Sequence, residues 1–249
     1  GNTAIGYFAL RSNTASNNTA IGYSTLQGNT TGTNNLAIGY NTLSASTTGT
    51  DNTGIGTTVL ATNTTGSYNI GIGTNALFQN LTGTDNTAIG AYSLYYTTAN
   101  NNIGVGNLSG RYNTTGAKSL FFGYNAGSYI ADGVTYATIV NNSILIGHST
   151  KVLADNQTNQ IVIGYNTTGL GSNTTILGNS STTFTSIPAG NFGINTSTNA
   201  GYGLDVNGTG RYTGQLIATS TTSGAPLRID VSTGTGVTSN TKFAIGTGG

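Results

Sequence analysis

The chain has no cysteine, methionine, tryptophan or glutamate, and only two prolines in 249 residues. Without cysteine there is no disulfide framework, no thiolate nucleophile and no cysteine-ligated metal. Charge is nearly as scarce: Asp, Glu, Lys and Arg make up 5% of the residues, against about 25% in ordinary soluble domains. Seven basic groups against six acidic ones leave a net charge of +1, which offers no attraction for nucleic acid or an anionic membrane surface. No apolar run approaches the roughly 18 residues that a spanning helix needs, so no membrane insertion is expected.

What fills the chain instead is glycine, 39 residues of it, with asparagine and threonine. Such a composition with so little charge resembles that of a disordered segment, but the isoleucines and leucines recur too regularly for disorder. A five-residue unit, Asn-x-(Ala/Gly)-Ile-Gly, begins at Asn2, Asn18, Asn35, Asn52, Asn69 and Asn86. Its last residues, Gly6, Gly22, Gly39, Gly56, Gly73 and Gly90, are separated by 16, 17, 17, 17 and 17 positions. A fixed period of this length marks a stacked solenoid.

Taking each Ile-Gly as a coil start, the isoleucines are Ile5, Ile21, Ile38, Ile55, Ile72 and Ile89, followed by Val105, Phe122, Ile146, Ile163 and Leu177. The first six are each followed five residues later by leucine: Leu10, Leu26, Leu43, Leu60, Leu77 and Leu94. Two apolar anchors per coil are too few for a helix and suit short strands joined by tight turns. These isoleucines and leucines are taken as the coil core. The residue two before each isoleucine is expected to share its face, with a small residue between them early in the chain (Ala20, Ala37, Gly54, Gly71) and a large one later (Phe121, Leu145, Val162). That change predicts a different cross-section, or different packing, after about residue 118. The glycine after each isoleucine, continuing as Gly123, Gly147 and Gly164, reads as a corner with positive φ. A Thr-Thr-Gly-like run marks the second corner, and the repeated asparagines are placed to form amide ladders from coil to coil. The expected fold is therefore all-β, a parallel β-roll or β-solenoid of 16–17-residue coils over residues 1–181. The coil interior is thin, so its remaining apolar surface is expected to pack on further copies of the chain, with a homotrimer as the first expectation.

The Asn-Thr-Ala-Ile-Gly unit at Asn2, Asn18 and Asn86 resembles the repeat of YadA-like trimeric autotransporter adhesin heads. The longer Ile-Gly-Tyr-x-x-Leu-x-x-Asn-Thr-Thr-Gly form is similar to the version found in phage tail fibres, as are Phe121-Phe-Gly-Tyr-Asn-Ala-Gly127 and Thr175-Ile-Leu-Gly-Asn-Ser-Ser181. Gly203-Leu-Asp-Val-Asn-Gly-Thr-Gly-Arg-Tyr-Thr-Gly214 resembles a tail-fibre element that follows such repeats. The resemblance implies a trimer of left-handed parallel β-rolls and a non-enzymatic, extracellular structural fibre, on a virion tail or a cell surface. A tail-fibre shaft mediating host attachment is the first reading, and a bacterial adhesin head binding matrix or glycan is the alternative. Implied partners are two further copies, other fibre or tail components, and a host-surface glycan or protein receptor. No cofactor is implied.

Between Phe122 and Ile146 the spacing rises to 24 residues, which places an extra loop near 128–138. Residues 182–190, with Ser186-Ile-Pro-Ala-Gly190, read as a junction, and 191–249 as a β-rich segment with Leu204, Val206, Tyr212, Leu216, Leu227, Ile229 and Val231 as its candidate core. His148, the only histidine, takes the place that tyrosine holds in neighbouring coils, so Tyr124, His148 and Tyr165 form one aromatic column and Tyr7, Tyr23 and Tyr40 another. With Tyr129 of the loop, the first column is the candidate binding surface, since aromatic rings stack on sugars. A lone histidine without a nucleophile elbow supplies no catalytic triad. Asp51 and Asp85 sit two coils apart, too distant to share a cation. Asn29, Asn63, Asn113 and Asn166 head Asn-x-Thr sequons.

Overall fold

The computed structural model describes residues 1–182 and two short strands beyond them, Phe192–Ile194 and Leu204–Val206. The chain divides into two compact units, Gly1–Thr185 and Ser186–Gly249. The first is a β-solenoid of about ten turns spaced about 17 residues apart, all-β and without a helix among the described residues. Strands β1 to β8 are Thr3–Ile5, Thr19–Ile21, Leu36–Tyr40, Thr53–Thr57, Ile70–Ile72, Thr87–Ile89, Ile103–Val105 and Leu120–Phe122. They are followed by β9 (Val140–Asn141), β10 (Ile144–Ile146), β11 (Gln157–Thr158), β12 (Ile161–Ile163) and β13 (Thr175–Leu177). Eleven of these, all but β9 and β11, form one parallel sheet with one strand per coil. Its register pairs Ile21 with Ile38, Ile38 with Ile55, and Ile55 with Ile72. The solenoid is thus held by stacking similar coils, each bonded only to its neighbours.

The interior differs from the expectation in one respect. Leu26, Leu43, Leu60, Leu77 and Leu94 are fully buried, with Leu10 packed at the edge. The residue facing them from the strand is the small middle one, Ala20, Ala37 or Ala88, not the isoleucine. Ile21, Ile38, Ile55, Ile72, Ile146 and Ile163 are only partly covered, and Ile5 and Ile89 are 59% and 39% exposed. The isoleucines are therefore an outer column, and their assignment to the coil core is corrected. The reason is width. A Cβ at Gly54 would stand 2.6 Å from Thr42 Cγ2 and would touch the Leu43 and Val59 side chains at 3.5 and 3.6 Å, so the facing side chains already fill the coil and leave no room here for a large residue. Strand alternation then turns the isoleucine outward.

The corner glycines Gly6, Gly22, Gly39, Gly56, Gly73, Gly90, Gly123, Gly147 and Gly164 have φ from 115° to 142°. In each, a side chain would also crowd the backbone of the next coil's glycine, and at Gly164 it would meet the Thr167 hydroxyl first. Both conditions exclude any other residue. At the opposite corner the asparagines form the ladder expected of them. The Asn35, Asn52, Asn69 and Asn86 amide N–H groups each donate to the side-chain oxygen of the asparagine one coil earlier, at 2.9–3.0 Å. Each Nδ2 donates to a corner carbonyl at 2.8 Å. These buried amides satisfy the backbone where no strand pairing does.

After Asn102 the ladder continues through shorter side chains, Ser119 and Ser143. In the same coils Phe121 and Leu145 are both fully buried, with Phe121 packed against Gly110 and Gly127, which stand where earlier coils carry leucine. The packing of the interior does change here, from small strand residues to large ones. The extra residues form a small hairpin. Tyr129 and Tyr136 pair antiparallel, Ile130 N donates to Thr135 O at 3.0 Å, and the Asp132 carboxylate accepts the Val134 and Thr135 N–H groups, both at 2.8 Å.

In the second unit, β14 (Phe192–Ile194) and β15 (Leu204–Val206) pair in parallel. Most of the junction at 182–190, and Tyr212, Leu216, Leu227, Ile229 and Val231 of the segment 191–249, lie outside the described residues; of Leu204 and Val206 only the backbone is described.

Candidate functional site

The structure assembles aromatic side chains in two separate kinds of place. The first is the position two residues after each strand isoleucine. Tyr7 stacks on Tyr23 at 5.6 Å and Tyr23 on Tyr40 at 5.3 Å between ring centroids. Farther along, Tyr124 and His148 are 4.9 Å apart, and His148 and Tyr165 are 5.2 Å apart. All six rings are exposed. Tyr124, His148 and Tyr165 therefore form the single column expected of them. Their faces are turned toward one another, so the column offers solvent mainly ring edges and polar tips, and a sugar ring finds an open face only at its ends.

Tyr129 does not join that column. It belongs to a second group, on the wall of the coil that carries the leucines and lies across the interior from the strands. There, the side chains six and seven residues after the strand isoleucine directly follow the inward leucine position, and Phe78, Tyr95, Tyr96, Arg111 and Tyr112 are partly exposed. Phe78, Tyr95 and Arg111 follow one another in the first of these positions, and Tyr96, Tyr112 and Tyr129 in the second. Phe78 and Tyr95 stack at 5.1 Å and 9°, and Tyr96 and Tyr112 at 5.6 Å and 15°. The inserted hairpin lays Tyr136 on Tyr112 at 3.7 Å. The Arg111 guanidinium stands 5.0 Å from the Tyr112 ring, 5.1 Å from Tyr92 and 5.8 Å from Tyr95, within cation–π range of all three. Burial, more than its neighbours, raises the Tyr95 phenol above the usual tyrosine range. The Tyr112 phenol is raised further, by burial and by hydrogen bonding to Tyr136. Both remain neutral donors at physiological pH.

Sequence reasoning missed this second group because it followed only the column beside the corner glycine. The signal was present: aromatic or planar residues at one offset in three successive coils. The sequons also resolve. Asn29, Asn63 and Asn113 are fully buried and donate Nδ2 to Gly32, Gly66 and Gly116 carbonyls at 2.9 Å. Asn166 is exposed, with Lys151 Nζ donating to its side-chain oxygen. Asp51 accepts Asn34 Nδ2 at 3.1 Å. Among the described residues no three His, Asp or Glu side chains gather as a metal centre would require. No protein-family model, curated protein or solved structure matches the chain.

Proposed function

We propose that this chain is a non-enzymatic structural fibre: the repetitive shaft of a trimeric tail fibre or related receptor-binding fibre, acting outside the cell and carrying a distal tip toward a host surface. The observation that carries the reading is the outer isoleucine column. Along the parallel sheet, Ile38, Ile55, Ile72, Val105, Ile146 and Ile163 stand in register on the outward face, with Phe122 51% exposed among them. A continuous apolar strip of this length on a nearly uncharged protein is an interface. Its repeating form fits further copies of the same chain, each contributing the same strip. The similarity of the repeat to YadA-like heads supports three copies around one axis. Buried between them, the isoleucines would complete the core that each thin coil lacks, and the assembled rod would act mechanically, resisting unfolding and proteolysis.

Light scattering with small-angle scattering on the full chain tests this. A rod of three chains is the expected result, and a compact monomer sinks the proposal. Ile72→Asp, in the middle of the strip, should release monomers whose coils persist by circular dichroism. The aromatic wall around Arg111 favours, as the second reading, an adhesin whose shaft surface itself binds.

A further inference from the structure

Arg111 is out of place in this protein. Only 5% of the residues carry charge, yet this cation stands amid the largest aromatic cluster of the described residues. Its Nε is buried without a hydrogen-bond partner, and no carboxylate among the described residues pairs with it. The next coil aligns Ser128 with Arg111, the Arg111 backbone N–H donating to Ser128 Oγ at 3.3 Å. The Ser128 hydroxyl turns away to donate to the Leu108 carbonyl at 2.6 Å. The run of planar side chains through Phe78 and Tyr95 thus ends on the guanidinium, with a serine where the next ring would stand. Beyond it rises the hairpin, bearing Tyr136, 49% exposed.

We propose that this wall binds an acidic polysaccharide, with Arg111 receiving a sugar carboxylate. The guanidinium fork matches a carboxylate in two parallel hydrogen bonds. The rings around it shield Nε from water, and these less polar surroundings strengthen the pairing. Tyr95, Tyr96, Tyr112 and Tyr136 set phenol groups along the wall, and a hydroxyl beside an apolar ring edge is what a sugar ring meets well. A polymer fits better than a small acid because the group extends over four coils, roughly 15 Å at strand spacing, and forms an open wall. The wall lies across the coil from the isoleucine strip, so a trimer closed on that strip leaves it exposed. The inference rests on the fibre reading for its setting, since a host-surface polysaccharide is what such a fibre encounters.

The test is calorimetric titration of the full chain with oligogalacturonate, hyaluronate oligosaccharide and oligosialic acid, with a neutral malto-oligosaccharide as comparison. Binding to at least one acidic oligosaccharide and not to the neutral one is expected, weakening as salt rises. Arg111→Gln should weaken it at least about tenfold, the scale of one lost charge-assisted hydrogen bond. Arg111→Lys should retain part of the affinity, having charge without the fork. Tyr136→Ser, on the exposed hairpin and away from the coil interior, should weaken binding several-fold with the coils intact, so the inference does not depend on the Arg111 variants folding. Equal binding of the neutral sugar, no binding of any acidic one, or full affinity in both Arg111→Gln and Tyr136→Ser would overturn it. Scattering on the same samples separates the two readings. A trimeric rod that ignores acidic sugars refutes this site alone, whereas a monomer that binds them refutes the fibre and leaves the site standing.

Discussion

A Cβ placed on Gly110 would stand 2.6 Å from Cδ2 of Phe121. Gly110 and Gly127 occupy the coil position that carries leucine in the six coils before them, and both keep its left-handed backbone, with φ of 57° and 66° against 48–52° for Leu26, Leu43, Leu60, Leu77 and Leu94. One phenylalanine therefore fills the volume that two leucines have vacated. Phe121→Ala should lower stability by about 3–5 kcal/mol through the cavity it leaves. Gly127→Leu alone should cost about 1–3 kcal/mol by overpacking. Combined, the two should recover part of the loss, and strictly additive effects in thermal or urea unfolding would contradict the exchange of volume.

This exchange also shows what the amino-acid order reveals and what it hides. The shift from Ala20, Ala37 and Gly54 to Phe121 and Leu145 was legible as a change in cross-section, because volume is written in single residues. The inside and outside of the strand were not. Bulk placed Ile55 in the core, whereas the decisive quantity is the gap between strand and facing wall, which Thr42, Leu43 and Val59 set from a different part of the coil. The group around Arg111 was hidden for a related reason. Tyr95, Arg111 and Tyr136 are scattered in sequence and meet only through the coil register and the hairpin.

The asparagine ladder should be sensitive at its centre. Asn52 Oδ1 accepts the backbone N–H of Asn69 at 3.0 Å and its Nδ2 at 3.1 Å, while Asn52 Nδ2 donates to Gly66 O at 2.8 Å. Asn52→Ala leaves these buried groups without partners, at about 1–3 kcal/mol for each one orphaned. Asn166→Ala, on the exposed surface, should change the unfolding midpoint little.

Thr58 has φ of 52°, a left-handed conformation in which a β-branched residue is strained, while the same place in the adjacent coils holds Asn41 and Asn75 at 51° and 58°. Thr58→Asn should raise stability by about 0.5–1 kcal/mol. A lowered thermal midpoint would mean that the hydrogen bond from the Thr58 hydroxyl to Asn75 outweighs the relief of strain.

The Asp132 carboxyl is held below the usual aspartate range by the hydrogen bonds from Thr135 and from the Val134 and Thr135 amides. A group with a depressed folded value stabilises above its unfolded value and loses that contribution as pH falls through the folded one. The hairpin cap is therefore expected to be intact at neutral pH and to open in acid before the coils do. Hydrogen exchange at the Val134 and Thr135 amides should accelerate on acidification relative to Ile130, and Asp132→Asn should remove the difference.

If the chain is exported through a glycosylating compartment, mass spectrometry of the folded product should find glycan at Asn166 and none at Asn29, Asn63 or Asn113, whose side-chain nitrogens point into the coil. Modification at Asn63 in a chain that retains its coils would contradict the burial of its side chain.

Because each coil bonds only to the one before and the one after, the reach of such a chain is an integer. Excising 52–68 would join Asp51 to Asn69 in the same phase that Asp51 now has with Asn52. Every glycine corner, amide ladder and outward isoleucine would be restored, with the stack about 4.8 Å shorter. Gene-level slippage by one repeat is then a change of ruler length and not of architecture, and lineages can adjust the length of the stack in whole units without redesigning a single contact.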